Sequence, residues 1–105
     1  MIGEFVRYPA PKGATREQVI EAAYDVVPRW QANPDLLRKH FLWSDDKEWI
    51  CGFYLWKTRE AAEQGHDAAW QAEVEQRTGK APEITYFDAF MIIDNPAGTV
   101  TLDGL

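Results

Sequence analysis

The chain has 105 residues, a formal net charge of −6 and a single cysteine, Cys51. That length suits one domain with a small but real core. The acidic balance, with no basic cluster beyond the pair Arg38-Lys39, argues against a nucleic-acid surface. A lone cysteine permits no internal disulfide and fits a cytoplasmic setting.

"IGEFVRY" (2–8) is short, β-branched and aromatic, and it stops at "PAPKG". It reads as a first strand. Thr15-Arg16-Glu17-Gln18 has the form of a capping box with Thr15 as N-cap. Behind it Val19, Ile20, Ala23, Val26, Val27 and Trp30 recur at helical spacing, the mark of an amphipathic helix. Pro28 must kink that helix or end it. "ANPD" (32–35) is a turn cluster.

Residues 36–56 carry two apolar runs around the charged tip Asp45-Asp46-Lys47-Glu48, the pattern of a β-hairpin. If Asp46-Lys47 is a two-residue loop, His40 falls opposite Phe53 and Arg38 opposite Leu55. Thr58 and Gly79 can start and end a second helix, on which Ala62, His66, Ala69, Trp70, Glu73 and Val74 share one side. "ITYFDAFMII" (84–93) reads as a last strand, and 96–105 as a turn-rich tail outside a single domain of residues 1–95.

The order β-α-β-β-α-β is the ferredoxin-like α+β plan, an antiparallel sheet with helices on one face. "WICGFYLW" (49–56) is then the informative stretch. It is too short to cross a membrane, which takes roughly 20 apolar residues, and it does not alternate as a strand with one wet face does. Both its faces must be covered. Helices cover one, and a second copy of the same sheet covers the other, so a face-to-face homodimer is expected. No segment suggests a membrane span or a secretory leader.

"LLRK…S…GFYLW" within 36–56, with Leu37, Lys39, Ser44, Gly52, Tyr54 and Leu55 in ungapped register, resembles the hairpin of the YdhR-type monooxygenases. "WKTREAA" (56–62) is similar to the strand-to-helix junction of the wider dimeric α+β barrel superfamily, which includes the antibiotic-biosynthesis monooxygenases. The resemblance covers roughly residues 2–95. It implies a homodimeric α+β barrel and a cofactor-independent monooxygenase acting on a small electron-rich aromatic of the phenol or quinol type. The superfamily also includes isomerases, dehalogenases, cyclases and haem-degrading enzymes, so an isomerase, lyase or cyclase using a His base and a non-catalytic small-ligand or haem-binding dimer stand as alternatives. The chain departs from the pattern in its tryptophan content, in His40 at an apolar position, and in having no Asn in the first strand.

The candidate catalytic residues are His66, on the inner side of helix 2 and at the position of the superfamily's helical histidine, and His40 on the second strand. A histidine in an apolar pocket can serve as a general base near neutral pH. Trp70, one turn after His66, and Tyr54 are candidate substrate contacts. So are Trp56, Phe53, Arg38, Tyr86 and Asp88, the last a carboxylate that would need a partner if buried. Trp43, Trp49, Phe87 and Phe90 could extend an apolar cavity, although core and interface packing accounts for most such rings. Two distant histidines and one cysteine offer no metal-ligand spacing.

Overall fold

The computed structural model describes residues 1–103. Strands β1 (Ile2–Pro9), β2 (Leu36–Trp43), β3 (Trp49–Trp56) and β4 (Glu83–Asp88) form an antiparallel sheet in the order β2-β3-β1-β4. Helix α1 (Arg16–Gln31) joins β1 to β2, and α2 (Arg59–Gly65) and α3 (Ala68–Thr78) join β3 to β4. This is the ferredoxin-like order that the sequence implies.

Thr15 caps α1 through the reciprocal pair expected of it: its hydroxyl accepts from the Gln18 amide at 3.2 Å, and the Gln18 side chain accepts from the Thr15 amide at 2.9 Å. The helix continues through Pro28. The carbonyl that a residue-28 amide would have bonded belongs to Tyr24, on the solvent side of the helix and 71 % exposed. Water can satisfy that carbonyl, so the proline neither ends the helix nor leaves a buried orphan. Of the apolar stripe, Val19, Ala23, Val27 and Trp30 turn inward, whereas Ile20 and Val26 lie partly in solvent.

The hairpin register holds, with His40 opposite Phe53 and Arg38 opposite Leu55. The turn itself is longer than two residues. Ser44 Oγ and its backbone, with Asp46, tie residues 44–49 together, and Lys47 takes the left-handed conformation at φ 67°. A bulge between Leu36 and Arg38 shifts the register at the start of β2.

Two readings need correcting. The helix after Thr58 is broken in two at His66, whose backbone (φ −124°, ψ 58°) leaves the helical region; Asp67 then caps α3 by accepting from the Trp70 amide at 2.9 Å. Gly65 weakens the helix at this point, and an Asx cap offers the backbone a restart. The run 84–93 is also two strands. It stops at Asp88 and resumes as β5 (Met91–Asp94), which pairs with β6 (Thr99–Leu102) as a separate two-stranded sheet. Part of the turn-rich tail is therefore the returning arm of a hairpin, held near β2 by the Arg38–Asp94 ion pair at 3.2 Å.

The core lies between the sheet and the helices, around Val6, Trp30, Tyr54, Trp56, Ala61 and Ala62. The opposite face carries Phe5, Cys51, Phe53, Leu55, Leu42 and Phe87 with no helix over it. Phe53 covers Gly3 there, where a Cβ would come within 3.1 Å of its ring.

Candidate active site

The alternation of β1 sends Ile2, Glu4 and Val6 to the helix side, and that of β3 sends Tyr54 and Trp56 there too. A glutamate thus sits in the core, 0 % exposed, with Trp56 at 0 % and His66 at 1 % beside it. Such a carboxylate needs strong partners. Glu4 Oε1 accepts from Trp56 Nε1 at 2.9 Å and lies 2.8 Å from His66 Nδ1. Its second oxygen has no partner, and neither does His66 Nε2.

The break between α2 and α3 aims His66 at the sheet. Its position is held from both sides. The His66 carbonyl accepts from Gln71 Nε2 at 2.9 Å, and the Gly65 carbonyl accepts from Arg29 at 3.2 Å. Residue 65 must be glycine for this approach, because a Cβ would lie 2.6 Å from Trp56 Cη2. The imidazole is ringed by aromatics. Trp70 and Tyr54 meet it edge to face at 4.4 and 4.5 Å between centroids, with Trp30 at 5.2 Å and Trp56 at 6.3 Å.

A carboxylate on Nδ1 sets the chemistry of the other nitrogen. It favours the Nδ1–H tautomer and leaves Nε2 as a lone-pair acceptor. It also stabilises the imidazolium that forms when Nε2 takes a proton. The pair has the arrangement that general-base chemistry requires, a held Nδ1 and an unpartnered Nε2 among flat apolar walls. Tyr54 supplies a donor: burial pushes its hydroxyl pKa well up, so it stays protonated through the neutral range. Burial, with the Glu4 charge beside it, also raises the Tyr86 hydroxyl, whose ring Arg59 covers at 3.6 Å.

Lys39 completes the group. Its Nζ donates to the Tyr54 hydroxyl at 2.6 Å and is half-buried under α1. Burial lowers its pKa from 10.5 to about 7, against the pull of Glu4 and with a smaller push from Arg29. The unfolded chain therefore holds this proton between about pH 7 and 10.5 while the folded chain has lost it. Stability contributed by this group must rise with pH across that window. At about 1.4 kcal/mol per unit, and with partial solvent contact reducing the effect, about 1–3 kcal/mol is expected between pH 6 and 9.5. Urea unfolding of Lys39→Met beside the parent checks this: the variant should lose that part of the pH dependence and be the more stable of the two, relative to the parent, at pH 6.

Two concave regions lie nearby, and His66 lines neither. One, of about 240 Å³, is bounded by Arg29, Trp30, Asn33, Asp35, Ala61, Gln64 and Gly65; it lies just outside the Trp30 and Gly65 wall of the histidine cage. The other is an open depression along α3. Among the described residues no three His, Cys, Asp or Glu side chains group as a metal site, and no helix is long and apolar enough to cross a membrane.

No protein-family model matches the chain, and no curated protein sequence does. Solved structures do. A monooxygenase from the ActVA-Orf6 gene of Streptomyces coelicolor, bound to nanaomycin D, superposes with a TM-score of 0.62 at 20 % identity over 88 % of this chain and 89 % of that one. An antibiotic biosynthesis monooxygenase matches with a TM-score of 0.62 at 12 % identity, over 85 % of this chain and 98 % of that one. SnoaB, a cofactor-independent oxygenase from Streptomyces nogalater, crystallised as a mutant, matches with a TM-score of 0.57 at 11 % identity, over 84 % and 91 %. The chain has the fold of the antibiotic biosynthesis monooxygenases.

Within this monooxygenase fold the expected site residues divide by face. His66, Trp70, Tyr54 and Trp56 come together, and Tyr86 borders them. His40, Arg38 and Phe53 lie across the sheet, with His40 and Arg38 exposed. Asp88 is exposed at the end of β4 and is not the buried carboxylate that its neighbours suggested. The buried carboxylate is Glu4, which no motif marked. Its signal was a charged residue in phase with Ile2 and Val6 on a strand; Lys39, out of phase with Arg38 and His40, was detectable in the same way.

Proposed function

We propose that the chain is a cofactor-independent monooxygenase that oxidises a small electron-rich aromatic of the phenol or quinol type in the cage around His66. One observation carries this reading: a fully buried histidine whose Nδ1 is held by Glu4 at 2.8 Å while its Nε2, facing aromatic walls, has no partner. The fold shared with a cofactor-independent oxygenase supports it.

In this reading Nε2 removes a proton from the substrate, and the resulting anion transfers an electron to O2 and forms a C–O bond. For an anthrone-type methylene the sum needs no outside reductant, since CH2 and O2 give C=O and H2O. In this reading the Tyr54 hydroxyl and the Trp70 indole N–H are the donors that stabilise oxyanion character. The aromatic walls keep water from the intermediates. Because His66 is enclosed, substrate reaches Nε2 when the Trp30 and Gly65 wall yields, from the hollow beside Arg29 and Gln64.

The protein works as a homodimer in this account. The bare face and the β5–β6 arm expose Leu42 (43 %), Phe87 (49 %), Phe90 (63 %), Ile93 (67 %) and Val100 (66 %), and exposed apolar side chains gathered on one face mark an interaction surface. A second copy covers it by two-fold packing. The single free cysteine, Cys51, suits a reducing cytoplasmic setting.

Oxygen uptake with a panel of quinols and anthrones tests the activity. Stoichiometric O2 consumption with product formation is expected; substrate turnover without O2 would instead make this a His-based isomerase or lyase. Sedimentation equilibrium should return twice the chain mass.

A further inference from the structure

Lys39 stands on β2, an edge strand of the four-stranded sheet. An edge lysine ordinarily keeps its ammonium in water and repels a pairing strand. This one turns inward instead. Its Nζ lies 3.8 Å from the Tyr54 ring centroid, 4.1 Å from that of Phe41 and 5.3 Å from that of Trp30, and its hydrogen bond to the Tyr54 hydroxyl is 2.6 Å. Gly52 makes the seat. A Cβ there would come 2.7 Å from Tyr54 Cε1 and 3.0 Å from Lys39 Nζ. The position is not sealed, for Lys39 is only half-buried and Phe41 beside it is 44 % exposed.

Three hydrogens are available on an ammonium, and Tyr54 takes one. The charged groups acting on this amine are Glu4 from β1 and Arg29 from α1, and the Tyr54 hydroxyl from β3 is its hydrogen-bond partner. With Lys39 protonated, two cations stand against one carboxylate, in a chain whose net charge is −6. The ligand that completes such a site is an aromatic monoanion: its oxygen accepts from the ammonium and its ring lies among Trp30, Phe41 and Tyr54.

We infer that Lys39 fixes the ionised oxygen of the ligand, so that the site selects acidic phenols as their phenolates over neutral aromatics of the same shape. This rests on the reading of the cage as a substrate site and names the substrate's charge. It also assigns the work. His66 takes the proton, and Lys39 holds the charge that remains. Anion binding keeps Lys39 protonated, so complex formation above pH 7 takes up a proton and weakens as the pH rises.

The test uses 4-nitrophenol and its neutral isostere 4-nitroanisole, with binding measured by tryptophan quenching and the ionisation of bound nitrophenol by its visible absorbance. In the parent protein nitrophenol should bind as the phenolate at a pH where the free compound is mostly protonated, and about 10- to 100-fold more tightly than nitroanisole. Lys39→Met should abolish that preference and leave nitroanisole unchanged, and Lys39→Arg should keep most of it. His66→Gln should retain anion preference. Equal binding of the two compounds, no binding of either, or an anion preference that survives in Lys39→Met each overturns the inference. If anion preference depends on Lys39 but no quinol consumes O2, the oxygenase reading fails and this one stands.

Discussion

Glu4→Ala is expected to cost about 3–5 kcal/mol of folding stability, the range for removing one member of a buried charged network. The physical reason is what it leaves behind. Trp56 Nε1 and His66 Nδ1 both rest on the same Glu4 oxygen, at 2.9 and 2.8 Å, in a region closed to water. Without it two buried donors lose their acceptor, and each carries a desolvation cost of about 1–3 kcal/mol. Glu4→Gln keeps the shape and one acceptor oxygen, so it should recover a substantial part of the loss. Urea denaturation of the parent and both variants at pH 7 measures this. A cost below about 1 kcal/mol for the alanine variant would show that the carboxylate does not anchor the cage.

The second large effect concerns turnover. His66→Gln should reduce kcat with a quinol or anthrone substrate by about 10²- to 10⁴-fold, the usual worth of a positioned general base. Glutamine is chosen because its amide N–H can still donate to Glu4 and its volume suits the cage, so the fold should survive. Circular dichroism and the thermal midpoint report on that. KM should change much less than kcat, since the lost step is proton removal and not ring binding. His40→Gln provides the contrast: its side chain is on the other side of the sheet, exposed and opposite Phe53, and its substitution should leave kcat within about threefold, a surface effect of roughly 0.5 kcal/mol. Full activity in His66→Gln would remove the histidine from the chemistry whatever the reaction class.

These two effects differ in kind although the residues touch. Glu4 touches His66 through Nδ1 and the core through Trp56, so under the proposed function its loss is expected in stability and in turnover together. His66 Nε2 bears no structural hydrogen bond, so under the proposed function its loss is expected in turnover and not in stability. Lys39 shows the same separation: its half-buried amine lowers stability below about pH 7, and its proposed use is with an anion beside it.

Much of the architecture was legible along the chain. Apolar spacing on α1, the capping box at Thr15 and Gln18, and the two runs flanking the tip at 45–48 are local signals, and local backbone preference decides them. The doubly apolar "WICGFYLW" pointed to an inner strand, and β3 lies inside the sheet with Tyr54, Leu55 and Trp56 buried. The breaks at His66 and Asp88 were harder to see, because an apolar pattern persists across each of them while a cap or a chain reversal interrupts the hydrogen-bonding ladder.

By itself, then, the amino-acid order determined the main helices and strands, apart from the breaks at His66 and Asp88, and their sequence along a ferredoxin-like plan, and it marked His66 as an inward-facing histidine. Only the tertiary structure decided who meets whom. Strand pairing placed Glu4 against His66, 62 positions away along the chain, and laid Lys39 over Tyr54 while carrying His40 to the far face. The reason is that a buried carboxylate or amine is chosen by its partners in space, which no short-range spacing encodes, whereas helices and strands are chosen by neighbours a few residues away.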